Sequence, residues 1–159
     1  MFLNIFLFSF IVYMNLQKSL LWMFFGSIFI GIFLNAMNIL ANKFDDLYFS
    51  APTLIYSALF MASNMCILEI LMYYDMHKEF KLYLFICFVL FSFFCVFLLR
   101  QQLGVNDNGY LKRMISHHST AITTSKEILK KTNSIQVAKI AKDIISTQIK
   151  EINLMKNLL

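Results

Sequence analysis

From Leu82 to Leu99 the chain reads LYLFICFVLFSFFCVFLL, without one charged residue, and Arg100 ends the run. A helix needs about 20 apolar residues to cross about 30 Å of hydrocarbon. Two further stretches meet that length. Leu20 to Ala41 is interrupted by Gly26, Gly31, Asn35 and Asn38, and Thr53 to Tyr74 carries one acid, Glu69. Phe2 to Leu16 is a marginal fourth candidate, reaching about 23 Å at 1.5 Å per residue. It lacks the basic start and small-residue cleavage site of a signal peptide, so it is not read as one.

Composition agrees. The chain is 59% hydrophobic and 14% charged, with 18 Phe, 10 Met, four Gly and one Pro. Average globular domains are about 25% charged. So few Gly and Pro disfavour a loop-rich or all-β fold. Cys66, Cys87 and Cys95 all lie inside apolar runs, which argues for packed or lipid-facing thiols rather than a disulfide scaffold. The fold class expected is all-α: multi-span transmembrane helices over residues 1–100, then a C-terminal antiparallel helical hairpin over 101–159.

The division at residue 100 is also one of charge. Residues 1–99 hold four Lys against five acids, and residues 100–159 hold ten Lys or Arg against four acids. The connections Asn42–Pro52 and Asp75–Lys81 are short, so neighbouring spans run antiparallel. Lys43, Arg100, Lys112 and Arg113 fall on one side, and Lys18, Lys78 and Lys81 on the other. That balance gives the positive-inside rule no purchase, and sidedness stays open.

Within the 53–74 span, Met61, Met65, Glu69, Met72 and Met76 fall within about 80° of one another at 100° per residue. Met is a gap filler in packed bundles. Thioethers also select Cu(I), and an intramembrane carboxylate marks function by default. The stripe is therefore a candidate metal path, and its Met61/Met65 pair resembles that of copper uptake transporters.

After Arg100, QQLGVNDNG ends one helix and starts another, with Asp107 or Asn108 as the expected N-cap. A helix is expected from about Gly109 to Lys131, a turn at Thr132–Ser134, and a second helix from about Ile135 to Leu158. Leu111, Met114, Ile115, Ile122 and Leu129 share one face of the first. Lys112, Arg113, Ser116, Ser119, Thr120 and Lys126 occupy the opposite arc. His118 lies in the middle of the apolar face and His117 at its edge. Gln148 and Glu151 lie inside the apolar stripe of the second helix, with Ile144, Ile145, Ile152 and Met155. Buried polar groups need partners. One account is a His118–Glu151 or His118–Gln148 pair across the hairpin. The other is a metal site, since Met114, His117 and His118 stand at i, i+3 and i+4, and Gln148, Glu151 and Met155 at i, i+3 and i+7. His with Met suits copper, and His with carboxylate suits zinc or iron. Two such helices do not close a core alone. They need a second copy, making a four-helix bundle, or the extended ends of the membrane helices.

Asp107, the run Met114-Ile115-x-His117-His118, Ala121-Ile122, Gln148, Glu151-Ile152 and Met155 resemble the DUF305 family. The family is ferritin-like and copper-associated. Arg100-Gln101-Gln102 and the Met-rich span resemble its membrane-anchored branch. The resemblance implies a metal-binding role, with copper the expected ion and Met114, His117, His118 and Met155 the positions carried over. Glu151 joins them from the helix pattern, with Asp107 and Gln148 in support. Many members have Met where this chain has Thr124, and many soluble members carry two His-His motifs where this chain has one. The single motif favours a homodimer.

The expectation is a non-enzymatic, membrane-anchored copper-binding or copper-buffering protein whose partners are the lipid bilayer and a second copy. No nucleophile–base pair, phosphate loop or acid dyad is visible, and no small-molecule substrate is evident. The tail's Lys residues are dispersed without an aromatic platform, which argues against nucleic acid. The rivals are a Met-lined metal transporter and a purely structural membrane protein.

Overall fold

The structure, a computed structural model, describes residues 15–159. The marginal span over 2–16 lies outside the described residues but for its last two. The described residues are helical and without strands. The elements are α1 (Leu16–Phe33), the one-turn α2 (Ala36–Ile39), a 3-10 turn (Phe44–Asp46), α3 (Pro52–His77), α4 (Leu82–Gln101), α5 (Asp107–Leu129) and α6 (Ile135–Asn157). They divide into two compact units, one of residues through Gly31 with Tyr56–Gln101, the other of Ile32–Ile55 with Gln102–Leu159.

Three helical stretches are long and apolar enough to cross a membrane: Leu16–Ile39, Pro52–His77 and Leu82–Gln101. Their boundaries differ from the sequence expectation in instructive ways. The first begins at Leu16, and its continuous helix stops at Phe33 rather than Ala41. Two side-chain amides stop it. Asn35 accepts from the Asn38 backbone N–H at 3.1 Å, and Asn38 Nδ2 donates to the Ile32 carbonyl at 2.6 Å. These bonds offer the backbone an alternative to the helical ladder. Pro52 opens α3 as expected, but α3 runs on to His77, whose ring packs 4.4 Å from that of Tyr73 one turn back. His77 is thus helical, not a loop residue.

In the first unit, Leu16, Leu20, Cys66 and Ile70 form the core, with Met23, Phe24, Tyr73, Leu84, Phe85 and Phe88 around it. A Cβ added to Gly31 would stand 2.9 Å from Ala58 Cβ and 3.0 Å from Ala58 Cα. Gly31 is therefore what lets α1 and α3 meet backbone to backbone, the use small residues serve in packed membrane helices. Polar side chains pair inward. Ser19 Oγ donates to Glu69, and Asn64 Nδ2 donates to Ser92 Oγ at 3.2 Å. Large apolar side chains face out, among them Trp22, Phe25, Leu90 and Phe93. Exposed apolar surface on this scale marks contact with lipid or a partner.

The second unit is built on α5 and α6. Asn106, not Asp107 or Asn108, caps α5 and accepts from the Gly109 N–H at 2.9 Å. Asp107 then stands in the first turn, where a negative charge suits the dipole. Ser134 caps α6. Ile115, Ile122, Ile152 and Met155 form the core, with Tyr48, Leu111 and Met114 against it.

The sequence places Ser116, Ser119 and Thr120 on a solvent arc. That is wrong for this fold. The one-turn α2 and the connection that follows it lie across them. Ser116 Oγ donates to the Asp46 carbonyl at 2.7 Å, Ser119 Oγ to Asp46 Oδ2 at 2.6 Å, and Thr120 Oγ1 to the Met37 carbonyl at 3.1 Å. The Asn42 backbone N–H donates to Ser119 Oγ at 2.8 Å. The hairpin closes part of its core with this connection, within a single chain. Thr53 Oγ1 donates to Gln102 Oε1 at 3.0 Å, joining the start of α3 to the residue after α4.

Candidate metal centre

The helical repeat of α5 and α6 decides which donors meet. In the antiparallel pair, His118 stands opposite Glu151, with Nδ1 3.2 Å from Glu151 Oε2. One turn on, the same register brings Met114 and Met155 into the same apolar cluster. Gln148 Nε2 donates to Glu151 Oε2 at 3.3 Å, so the amide steadies the carboxylate. Four of the expected metal positions, Met114, His118, Glu151 and Met155, therefore lie along one seam of the hairpin.

Two do not join it. His117 is exposed, its ring centroid 6.0 Å from that of His118. It stood at the edge of the apolar face in sequence, and the edge turns outward. Asp107 lies eleven residues before His118 on α5, about 16 Å along the axis. It serves the first turn of α5 and is exposed.

The His118–Glu151 contact is a close approach rather than a formed hydrogen bond. Nδ1 is within ion-pair distance of Glu151, yet it is buried and has no hydrogen-bond partner of adequate geometry. An orphaned buried polar atom is costly and calls for an explanation. Burial pulls the His118 pKa below the usual imidazole value, with His117 adding to the effect and Glu151 opposing it. The ring is thus held neutral near physiological pH, the state in which a ring nitrogen can bind a metal.

Among the described residues, no three His, Cys, Asp or Glu side chains converge where a metal ion could be held. A hard-donor zinc or di-iron site within one copy does not fit. The other two expected positions on the seam, Met114 and Met155, are thioethers in one apolar cluster.

The stripe on α3 is less uniform than its spacing suggests. Met61 and Met65 are half-buried, and Met72 and Met76 are exposed. Glu69 is 5% exposed and accepts from Ser19. The helix α3 continues two turns beyond it.

Sequence reasoning missed the most enclosed polar node of the second unit. The Asp46 side chain is 2% exposed; it takes Ser119 Oγ on one oxygen and Lys156 Nζ at 2.6 Å on the other. Lys126 Nζ donates to Asn42 Oδ1 at 2.7 Å nearby. The only sequence signal is an Asp pair in a short connection, which has no periodicity to read.

Residues 98–159 match the family described as a domain of unknown function, DUF305. An uncharacterized protein of Acanthamoeba polyphaga mimivirus is 33% identical to the chain over 132 residues, which is 82% of this chain and 85% of the viral protein. That alignment is longer than the 98–159 segment, so the likeness extends into the apolar helices. No solved structure matches. The chain belongs to the DUF305 family.

Proposed function

We propose that this DUF305 protein is an integral membrane protein that binds copper, as Cu(I), on its C-terminal hairpin, as a homodimer and without catalysis. The observation that carries the reading is the buried His118 Nδ1. It has no hydrogen-bond partner and lies on the seam that also holds Met114 and Met155. One neutral imidazole with two thioethers is a soft donor set, and soft donors select Cu(I) over zinc, calcium or magnesium. When bound, copper would supply a positive charge that satisfies the nitrogen and neutralises the carboxylate beside it. Glu151 lies next to that nitrogen, and Gln148 orients it.

A homodimer follows from what one copy lacks. His117 is exposed, and Val137, Ile140 and Leu154 of α6 are 40–61% exposed on one stripe. A second hairpin on that face would bury the stripe and complete a four-helix, ferritin-like arrangement. The membrane assignment rests on three apolar stretches whose large side chains face outward.

The test is a Cu(I) competition titration on detergent-purified protein beside the His117→Ala/His118→Ala double variant, with a thermal melt of each. Stoichiometric binding by the wild type and none by the variant supports the site. A structural reading is favoured by the 3.2 Å His118–Glu151 contact. It predicts no copper bound by either protein and a lower melt for the variant alone.

A further inference from the structure

Among the described residues Arg113 is a cation without a counterion. It lies on α5, and its Nη2 donates to Met37 Sδ at 2.9 Å. Among the described residues, no carboxylate lies within ion-pair distance of it, whereas Lys156 on the same unit has Asp46. Its side chain is half-buried, and burial pulls its pKa below the usual guanidinium value. A charge taken from water normally has a partner. A thioether is a weak acceptor and uses one of five donors. The rest of the fork is open to an anion from outside the chain.

The surroundings say which anion. Met37 stands four residues after α1 ends at Phe33. The same unit contains that helix end, the start of α3 at Pro52, and Gln102 after α4. The unit that holds Arg113 therefore contains the end of the first apolar stretch, the start of the second and the residue that follows the third. Leu34 and Ile39, in the last residues of the first apolar stretch, and Phe44, in the connection after it, are 55, 71 and 81% exposed. Apolar and aromatic side chains with a cation among them are what a lipid headgroup region accepts. The guanidinium fork matches a phosphate in a bidentate way that an ammonium does not. The charge of residues 100–159 favours an anionic lipid over a zwitterionic one.

We propose that Arg113 holds the phosphate of an anionic phospholipid on the second unit, beside Met37 near the end of the first apolar stretch. This rests on the membrane part of the functional reading and is independent of copper.

The experiment places the wild type, Arg113→Lys and Arg113→Gln in nanodiscs of equal phosphatidylglycerol and phosphatidylcholine. The lipid retained by each protein on extraction into detergent is then weighed by mass spectrometry. The wild type is expected to retain phosphatidylglycerol preferentially, and Arg113→Gln to lose about fivefold of that preference. Arg113→Lys, which keeps the charge without the fork, falls between them and controls for folding. An unchanged preference in Arg113→Gln overturns the proposal. Inorganic phosphate added to the discs should not displace the retained lipid. Displacement would assign Arg113 to a free anion and overturn the lipid source. Failure of the wild type to enter the discs is read first. It would overturn the membrane reading, and this proposal with it.

Discussion

In α4, Leu90, Phe93 and Phe97 are 64, 70 and 51% exposed, while Ser92 and Cys95 are buried. In α5, Thr124, Lys126 and Glu127 are exposed, while Ile115 and Ile122 are buried. The two helices differ by only three residues in length and sort their side chains in opposite senses. Water sets the sense in α5, because burying Ile115 and Ile122 removes apolar area from solvent. On the proposed membrane reading nothing drives Phe inward in α4, and the interior goes to small and polar groups that pair, as Ser92 does with Asn64. One polarity rule therefore does not serve the whole chain. It finds the core of the hairpin and, in the apolar helices, finds only length.

The hairpin follows the rule less completely than its sequence suggests, and that exception is the place to break the comparison hardest. Ser116, Ser119 and Lys156 are polar and turned toward Asp46, not toward water. Asp46→Ala leaves the Lys156 ammonium and the Ser119 hydroxyl without their partner. Removing one member of a buried pair costs about 3–5 kcal/mol. Because Lys156 is 32% exposed, the expectation is the low end of that range. Denaturant unfolding in detergent, followed by helical circular dichroism, measures it.

The corresponding change in the apolar unit is steric. Gly31→Ala puts a methyl 2.9 Å from Ala58 Cβ, against backbone that cannot yield cheaply. Overpacking of this kind costs about 1–3 kcal/mol. A melt at unchanged helix content would show it. The comparison sharpens if Asp46→Ala destabilises more than Gly31→Ala, since one removes a polar partner and the other crowds a contact.

A smaller effect comes from pH. His118 has a folded pKa below its unfolded value of about 6.5, because burial disfavours the imidazolium. Below that value the unfolded chain binds more protons than the folded one, so stability falls as pH drops from neutral. Above it the contribution is constant. The melting temperature of the wild type should decline on acidification more than that of His118→Ala. Protons compete with metal for the same nitrogen, so Cu(I) affinity should weaken over the same window.

The regions also differ in how far they could be read from sequence. The α5 and α6 boundaries lie within two residues of expectation, because N-cap residues and a Thr-Asn-Ser turn punctuate them. The His118–Glu151 pairing was legible because both residues fall inside apolar stripes whose repeat fixes their register. His117, one residue away, turns outward because it sat at the stripe's edge. The end of α1 was not legible. Asn35 and Asn38 act through side-chain bonds that hydropathy does not register. Asp46 and Arg113 were hidden for a different reason. Asp46 sits in a connection with no periodicity, the Arg113 partner Met37 sits in the one-turn α2, and a charged residue on a helix's polar arc looks solvent-facing until the segment covering it is seen.

The central claim is that the hairpin seam, not the α3 stripe, holds the metal. X-ray absorption at the copper edge of the Cu(I)-loaded, detergent-purified protein tests it most directly. The account predicts mixed sulfur and nitrogen coordination. The sulfur contribution should shrink in Met114→Leu/Met155→Leu, the nitrogen contribution should shrink in His118→Ala, and neither should change in Met61→Leu/Met65→Leu. A spectrum that ignores the hairpin variants and follows the α3 variants would contradict it and move the metal into the apolar helices.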